Sequence, residues 1–173
     1  MDGALIGILT GSVSDMGVVT KASDLLKEFG VPFEVGIASA HRTPEDVVNY
    51  ASGAARRGVK VIIAMAGLSA ALPGVVAAHT ELPVIGVPIA SGPLSGTDAL
   101  LSVVQMPPGV PVASMGIDGA RNAALFAVRI LALSDAELME KLLEWSLKAA
   151  DGVRRSRDKV SESPIPPEAF ERG

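Results

Sequence analysis

Short apolar runs of strand length, separated by stretches with helical spacing, set the pattern of this chain. Leu5 to Thr10 is the first such run, and Phe33 to Ala38, Val59 to Met65, Val84 to Val87 and Val110 to Met115 repeat it. Between the first two, Val18, Val19, Ala22, Leu25, Leu26 and Phe29 recur at the interval that puts them on one face of a helix. Gly30 ends that helix and Pro32 resets the chain for Phe33 to Ala38, which reads as a buried strand. A second helix is expected from Pro44 to Arg57, with Thr43 as N-cap, Glu45 and Asp46 in its first turn, and Gly58 closing it. Ala66 to Gly74 reads as a loop, followed by a short helix through Val75 to His79. Pro88 is expected to open a loop reaching Gly96, with Thr97 or Asp98 capping a helix through Leu100 to Gln105 that Pro107-Pro108-Gly109 stops. Ala120 to Leu131 supplies the last helix of the alternating series.

Strands alternating with helices through five cycles predict an α/β fold: a doubly wound parallel sheet, flavodoxin-like, in three α/β/α layers. Beyond it, Ser134-Asp135-Ala136-Glu137 fits a capping box, and Leu138, Leu142, Trp145 and Lys148 follow at helical spacing. This extra C-terminal helix fades between Arg154 and Lys159, and either closes its own domain or packs on a neighbouring subunit. Residues 1–160 thus read as one domain and 161–173 as a Pro-rich polar tail.

Composition narrows the picture. Apolar residues make up 49% of the 173 but aromatics only 3%, so the core is built from Ala, Val, Ile and Leu, as suits parallel strands covered on both faces. A net charge of −4 without a basic block argues against nucleic acid as a partner. The lack of cysteine excludes disulfides, thiolate catalysis and Cys-ligated metals. No apolar run reaches membrane-spanning length, and Met1-Asp2-Gly3 leads straight into a strand without a signal peptide, so a soluble cytoplasmic protein is expected.

The candidate chemistry sits where strands end and helices begin, the place where open parallel sheets bind ligands. In Ser39-Ala40-His41-Arg42-Thr43-Pro44, Arg42 offers a fork of donors suited to phosphate, and an imidazole such as that of His41 gains and loses a proton near neutrality. Taken singly, His41 reads as a surface histidine and Arg42 as a partner for Glu45 or Asp46; an anion clamp beside a proton carrier at a strand end reads as an active site. In Gly11-Ser12-Val13-Ser14-Asp15, Ser12 and Ser14 suit a phosphate and Asp15 a ribose, although taken alone the loop reads rather as a serine-capped helix start without a ligand. The pattern is neither the dinucleotide glycine motif nor a P-loop. The Ala66 to Gly74 loop is small enough for a planar ring to lie on its backbone, or for helix to pack closely on strand. His79 reads as structural. No second histidine or carboxylate cluster at ligand spacing suggests a metal, and no nucleophile elbow appears.

Several motifs together are similar to the PurE family of purine biosynthesis. They are Gly11-Ser12-x-Ser14-Asp15, Ser39-Ala40-His41-Arg42-Thr43-Pro44, Ala66-Gly67, Leu72-Pro73-Gly74, Leu82-Pro83-Val84-Ile85-Gly86-Val87-Pro88, and the stretch from Leu94 through Val104-Gln105-Met106-Pro107, in one order from Leu5 to Leu133. The resemblance implies an isomerase that converts N5-carboxyaminoimidazole ribonucleotide to 4-carboxy-5-aminoimidazole ribonucleotide without cofactor or metal, by decarboxylation and recarboxylation, in a homo-octamer. It implies that Ser12, Ser14, Ser39 and Arg42 hold the 5′-phosphate, Asp15 the ribose hydroxyls, and that His41 moves protons. Ala66, Gly67, Ser69 and Leu72 would meet the imidazole and the carboxylate. The family's mutase branch usually carries a histidine where this chain has Ala71, and Leu68-Ser69 leans toward the branch that carboxylates aminoimidazole ribonucleotide with CO2 directly, whereas Arg42 matches the mutases. The alternatives are therefore that carboxylase and a non-catalytic nucleotide- or flavin-binding module.

Overall fold

A computed structural model describes residues 3–160, 162 and 165–170. Five parallel strands form one sheet: β1 (Ile6–Thr10), β2 (Phe33–Ile37), β3 (Val61–Gly67), β4 (Val84–Ile89) and β5 (Ala113–Ser114), in the order β2-β1-β3-β4-β5. That is the order of a flavodoxin-like doubly wound fold, and it reverses between β1 and β3. The helices are α1 (Met16–Phe29), α2 (Pro44–Ala54), α3 (Leu72–Ala77), α4 (Thr97–Val104), α5 (Ala120–Ala132) and α6 (Ala136–Ser156).

Side chains alternate along each strand, so the sheet divides the core in two. Ile6, Ile8, Val61, Ile63, Met65, Ile85 and Val87 face α1, α5 and the start of α6. Leu9, Ile62, Ala64, Ala66 and Val84 face α2, α3 and α4. Small residues bring the second layer close. A Cβ on Gly86 would come within 2.4 Å of Val103 on α4, and one on Gly7 within 2.0 Å of the Tyr50 hydroxyl on α2. That hydroxyl is buried without a hydrogen-bond partner among the described residues, and burial, followed by the neighbouring Glu34, pushes its pKa up. The Arg57 guanidinium stacks 4.8 Å from the Tyr50 ring and pairs with Glu34 at 2.8 Å.

Several expectations from sequence are corrected. Phe33 to Ala38 is an edge strand, not a buried one: Val35 and Ile37 are 41% and 55% exposed. Pro88 lies inside β4 and opens no loop. Its carbonyl accepts from Asp118 N–H on the side where β5 has already ended, so the proline's missing N–H costs no ladder bond. The fifth strand shrinks to two residues, since its approach is interrupted by Pro107, Pro108 and Pro111. The third helix starts earlier than expected, at Leu72 instead of Val75. Gly96, in the left-handed conformation, holds the cap position of α4 in place of Thr97 or Asp98, and Asp98 inside the first turn accepts from Ala99 N–H at 3.0 Å. Asp135, not Ser134, caps α6 by accepting from Leu138 N–H at 2.9 Å. Leu138 and Leu142 are buried against the first core layer, and Trp145 lies 6.2 Å from Phe29, so the first half of α6 closes its own domain. Much of the expected tail lies outside the described residues; within it Pro167–Phe170 forms one 3₁₀ turn.

Candidate active site

Loops at the C-terminal ends of β1, β2, β3 and β4 enclose a cleft of about 530 Å³, beside the point where the strand order reverses. Each loop owes its shape to bonds within the chain. After β1, Ser12 caps the turn Val13–Asp15, its Oγ accepting from Ser14 N–H at 3.3 Å. Asp15 is held from two sides: the buried Thr10 hydroxyl donates to Oδ2 at 2.9 Å and the Ser14 hydroxyl to Oδ1 at 3.0 Å. The carboxylate keeps free lone pairs for further donors.

After β2 the chain winds on itself. Ser39 N–H donates to Thr43 Oγ1 at 2.9 Å, Arg42 N–H to Ser39 Oγ at 3.2 Å, and Thr43 N–H to the Ser39 carbonyl at 2.8 Å. Thr43 therefore occupies the cap position of α2 without capping it by its side chain, because the hydroxyl is engaged with Ser39. The turn presents His41 and Arg42 outward, both exposed. Arg42 Nη2 donates to the Gly11 carbonyl at 3.1 Å, linking the loops after β1 and β2. Among the described residues it has no carboxylate partner, so the expected alternative of an ion pair with Glu45 or Asp46 does not occur.

The wall after β3 is tight and mostly apolar. Gly67 meets the loop after β4, and Leu68 adopts a positive φ of 55°, a conformation a leucine rarely takes. Ala71 N–H donates to the Ser69 carbonyl at 2.7 Å and leads into α3. Ser12, Ser14, Asp15, Ser39, His41, Arg42, Ala66, Gly67, Ser69 and Leu72, all singled out from sequence, line this one cleft. His79 stays outside it, its Nδ1 2.8 Å from the Val75 carbonyl.

The model of the family described as AIR carboxylase matches residues 5–151. The chain belongs to the AIR carboxylase family. Within that family it is 57% identical over 158 residues to an N5-carboxyaminoimidazole ribonucleotide mutase of Pyrococcus horikoshii, covering 91% of this chain and 89% of that one. It is 53% identical over 149 residues, 86% of this chain, to 26% of a phosphoribosylaminoimidazole carboxylase of Saccharomyces cerevisiae. Its fold superposes on the crystal structure of Treponema denticola PurE with a TM-score of 0.83 at 34% identity, over 92% of this chain and 99% of that one.

Four loops distant in sequence thus converge on one cleft in a chain of the AIR carboxylase family, and the fourth of them carries no motif of its own. Ser91, after β4, also lines the cleft. Its place follows from β4 continuing through Pro88 to Ile89, so that the loop toward the cleft starts after Ile89.

Proposed function

We propose that this chain is a purine-biosynthesis isomerase that converts N5-carboxyaminoimidazole ribonucleotide to 4-carboxy-5-aminoimidazole ribonucleotide. The observation that carries the reading is the cleft: an arginine without an acidic partner among the described residues, three serines, an aspartate and an exposed histidine face a small apolar wall, in a chain of the AIR carboxylase family. Arg42 with Ser12, Ser14 and Ser39 grips the 5′-phosphate, and Asp15 accepts from the ribose hydroxyls. The heterocycle lies against Ala66, Gly67, Ser69 and Leu72.

The chemistry needs two proton transfers at one ring. The N–C bond to the carboxyl group breaks as its electrons return to nitrogen, which takes a proton from His41 while CO2 leaves. The ring carbon then attacks CO2 and loses its own proton to His41, which ends as it began. Positioned acid–base catalysis of this kind contributes about 10²- to 10⁴-fold. Confining CO2 beside its nucleophile contributes further by avoiding a second encounter. No bound metal or organic cofactor enters these steps.

The enzyme is inferred to work as a homo-octamer in the cytoplasm, with a small ribonucleotide and CO2 as its only partners and neither nucleic acid nor membrane involved. No helix among the described residues is long and apolar enough to cross a membrane. Exposed Leu143 and Leu147 on the second half of α6 are consistent with subunit packing. The second reading, direct carboxylation of aminoimidazole ribonucleotide, is favoured by one feature, the Leu68-Ser69-Ala70-Ala71 sequence of the cleft wall.

The test offers each ribonucleotide separately and follows product absorbance. Turnover of the N-carboxylated substrate at low bicarbonate is expected. Product formed only from the uncarboxylated ribonucleotide, in proportion to bicarbonate, would establish the carboxylase instead. His41→Asn is expected to lose about 10²- to 10⁴-fold in kcat while still binding product.

A further inference from the structure

Ser91 Oγ is buried and has no hydrogen-bond partner among the described residues, an uncommon state for a hydroxyl in a folded protein. It lies flat against Gly67: a Cβ built on that glycine would come within 2.2 Å of the oxygen and 3.2 Å of the Ile89 carbonyl. The contact is reciprocated one residue on, where a Cβ on Gly92 would come within 2.5 Å of Leu68 Cδ2. The loops after β3 and β4 are thus interlocked, with Ser91 beneath Gly67 and Leu68 over Gly92. On this side of the cleft Ala66, Gly67, Leu68, Ala71 and Leu72 offer no polar side-chain atom, and Ser69 is the remaining hydroxyl.

A carboxyl group that moves across this wall requires donors aimed at where its charge sits. Arg42 and the serines of the other two loops are committed to the phosphate in the reading above, on which this inference rests. We propose that Ser91 is a carboxylate-binding residue: on binding, its hydroxyl turns about the Cα–Cβ bond from Gly67 into the cleft and donates to the migrating carboxyl group. The turn moves one atom between staggered positions and leaves the backbone in place. It also gives the orphaned hydroxyl its partner, so binding and the satisfaction of a buried polar group coincide. Ser91 would then hold the carboxyl group on the side from which the ring carbon must be attacked, a role that the apolar Ala71 cannot take.

Ser91→Ala removes only the unpartnered oxygen, and an unchanged melting temperature is expected. Ser91→Cys puts a weak donor on a larger atom and provides a second variant. The readout is equilibrium binding of 4-carboxy-5-aminoimidazole ribonucleotide against aminoimidazole ribonucleotide, which lacks the carboxyl group. Both variants are expected to weaken the first about 10- to 150-fold, as for a hydrogen bond to a charged group, and the second less than twofold. During turnover of the N-carboxylated substrate, a larger share should escape as free CO2 and aminoimidazole ribonucleotide. Equal weakening of both ligands, or of neither, overturns the assignment while native turnover leaves the mutase reading intact. A native enzyme that fails to convert the N-carboxylated substrate overturns that reading, and this assignment with it.

Discussion

Replacing Arg42 by Ala separates a binding role from a structural one. The side chain is exposed and makes one hydrogen bond, from Nη2 to the Gly11 carbonyl at 3.1 Å. It has no ion-pair partner among the described residues. A single exposed bond of this kind contributes under about 1 kcal/mol to stability. A guanidinium bound to a phosphate contributes about 1.5–3 kcal/mol of charge-assisted hydrogen bonding, or roughly 10- to 150-fold in affinity. Arg42→Ala is therefore expected to lower kcat/KM by about 10- to 150-fold, mostly through KM, because the phosphate takes no part in the bond changes. Arg42→Lys should recover part of the loss, since an ammonium keeps the charge but not the fork. Initial rates over a range of substrate concentrations give the split, and urea unfolding of the same preparations gives the stability change. A variant destabilised by more than about 1 kcal/mol, or one whose kcat/KM stays within twofold of native, would refute the reasoning.

The remaining predictions concern the fold that holds the cleft. Gly7→Ala places a methyl group 2.0 Å from the Tyr50 hydroxyl and should cost about 1–3 kcal/mol in urea unfolding. Tyr50→Phe in that background should recover most of the loss, and no recovery would show that the clash lies elsewhere. Tyr50→Phe alone should be neutral or stabilising, because the hydroxyl it removes is buried and unpaired. Burial raises the Tyr50 pKa in the folded state, so the unfolded chain loses that proton first. The stability is then complete below the ordinary phenol value of about 10 and falls as pH rises through it toward the higher folded value. Melting temperatures of native and Tyr50→Phe protein should accordingly diverge above about pH 10, the native value falling further, and parallel curves would contradict the assignment. Asp135→Ala should cost about 0.5–2 kcal/mol by uncapping α6, whereas Ser134→Ala should stay within about 0.5 kcal/mol.

The alternation of apolar runs with helical faces made the sheet and its two helix layers legible in the sequence, since buried parallel strands and amphipathic helices leave different periods. What it hid was neighbourhood. Phe33 to Ile37 differs from the central strands by the single charge of Glu34 among its apolar residues, and the strand order leaves one side of it unpaired. Pro88 reads as a breaker because nothing in the sequence shows that the neighbouring strand stops short of it. Ser134 and Asp135 are both good caps, and which one serves depends on one turn of backbone. Of the cleft, the loops after β1, β2 and β3 were readable from serine, histidine, arginine and glycine placed at strand ends. Ser91 was not, because a serine four residues after a misplaced strand end carries no signal of its own; the readable trace is Gly67, whose lack of a side chain makes room for it.

The Ser39 to Thr43 turn is wound on its own hydroxyls and amides. A receptor shaped in advance in this way spends little of its ligand's affinity on ordering itself. Association at this loop should then follow a single kinetic phase that rises linearly with ligand concentration, with no slow rearrangement after encounter.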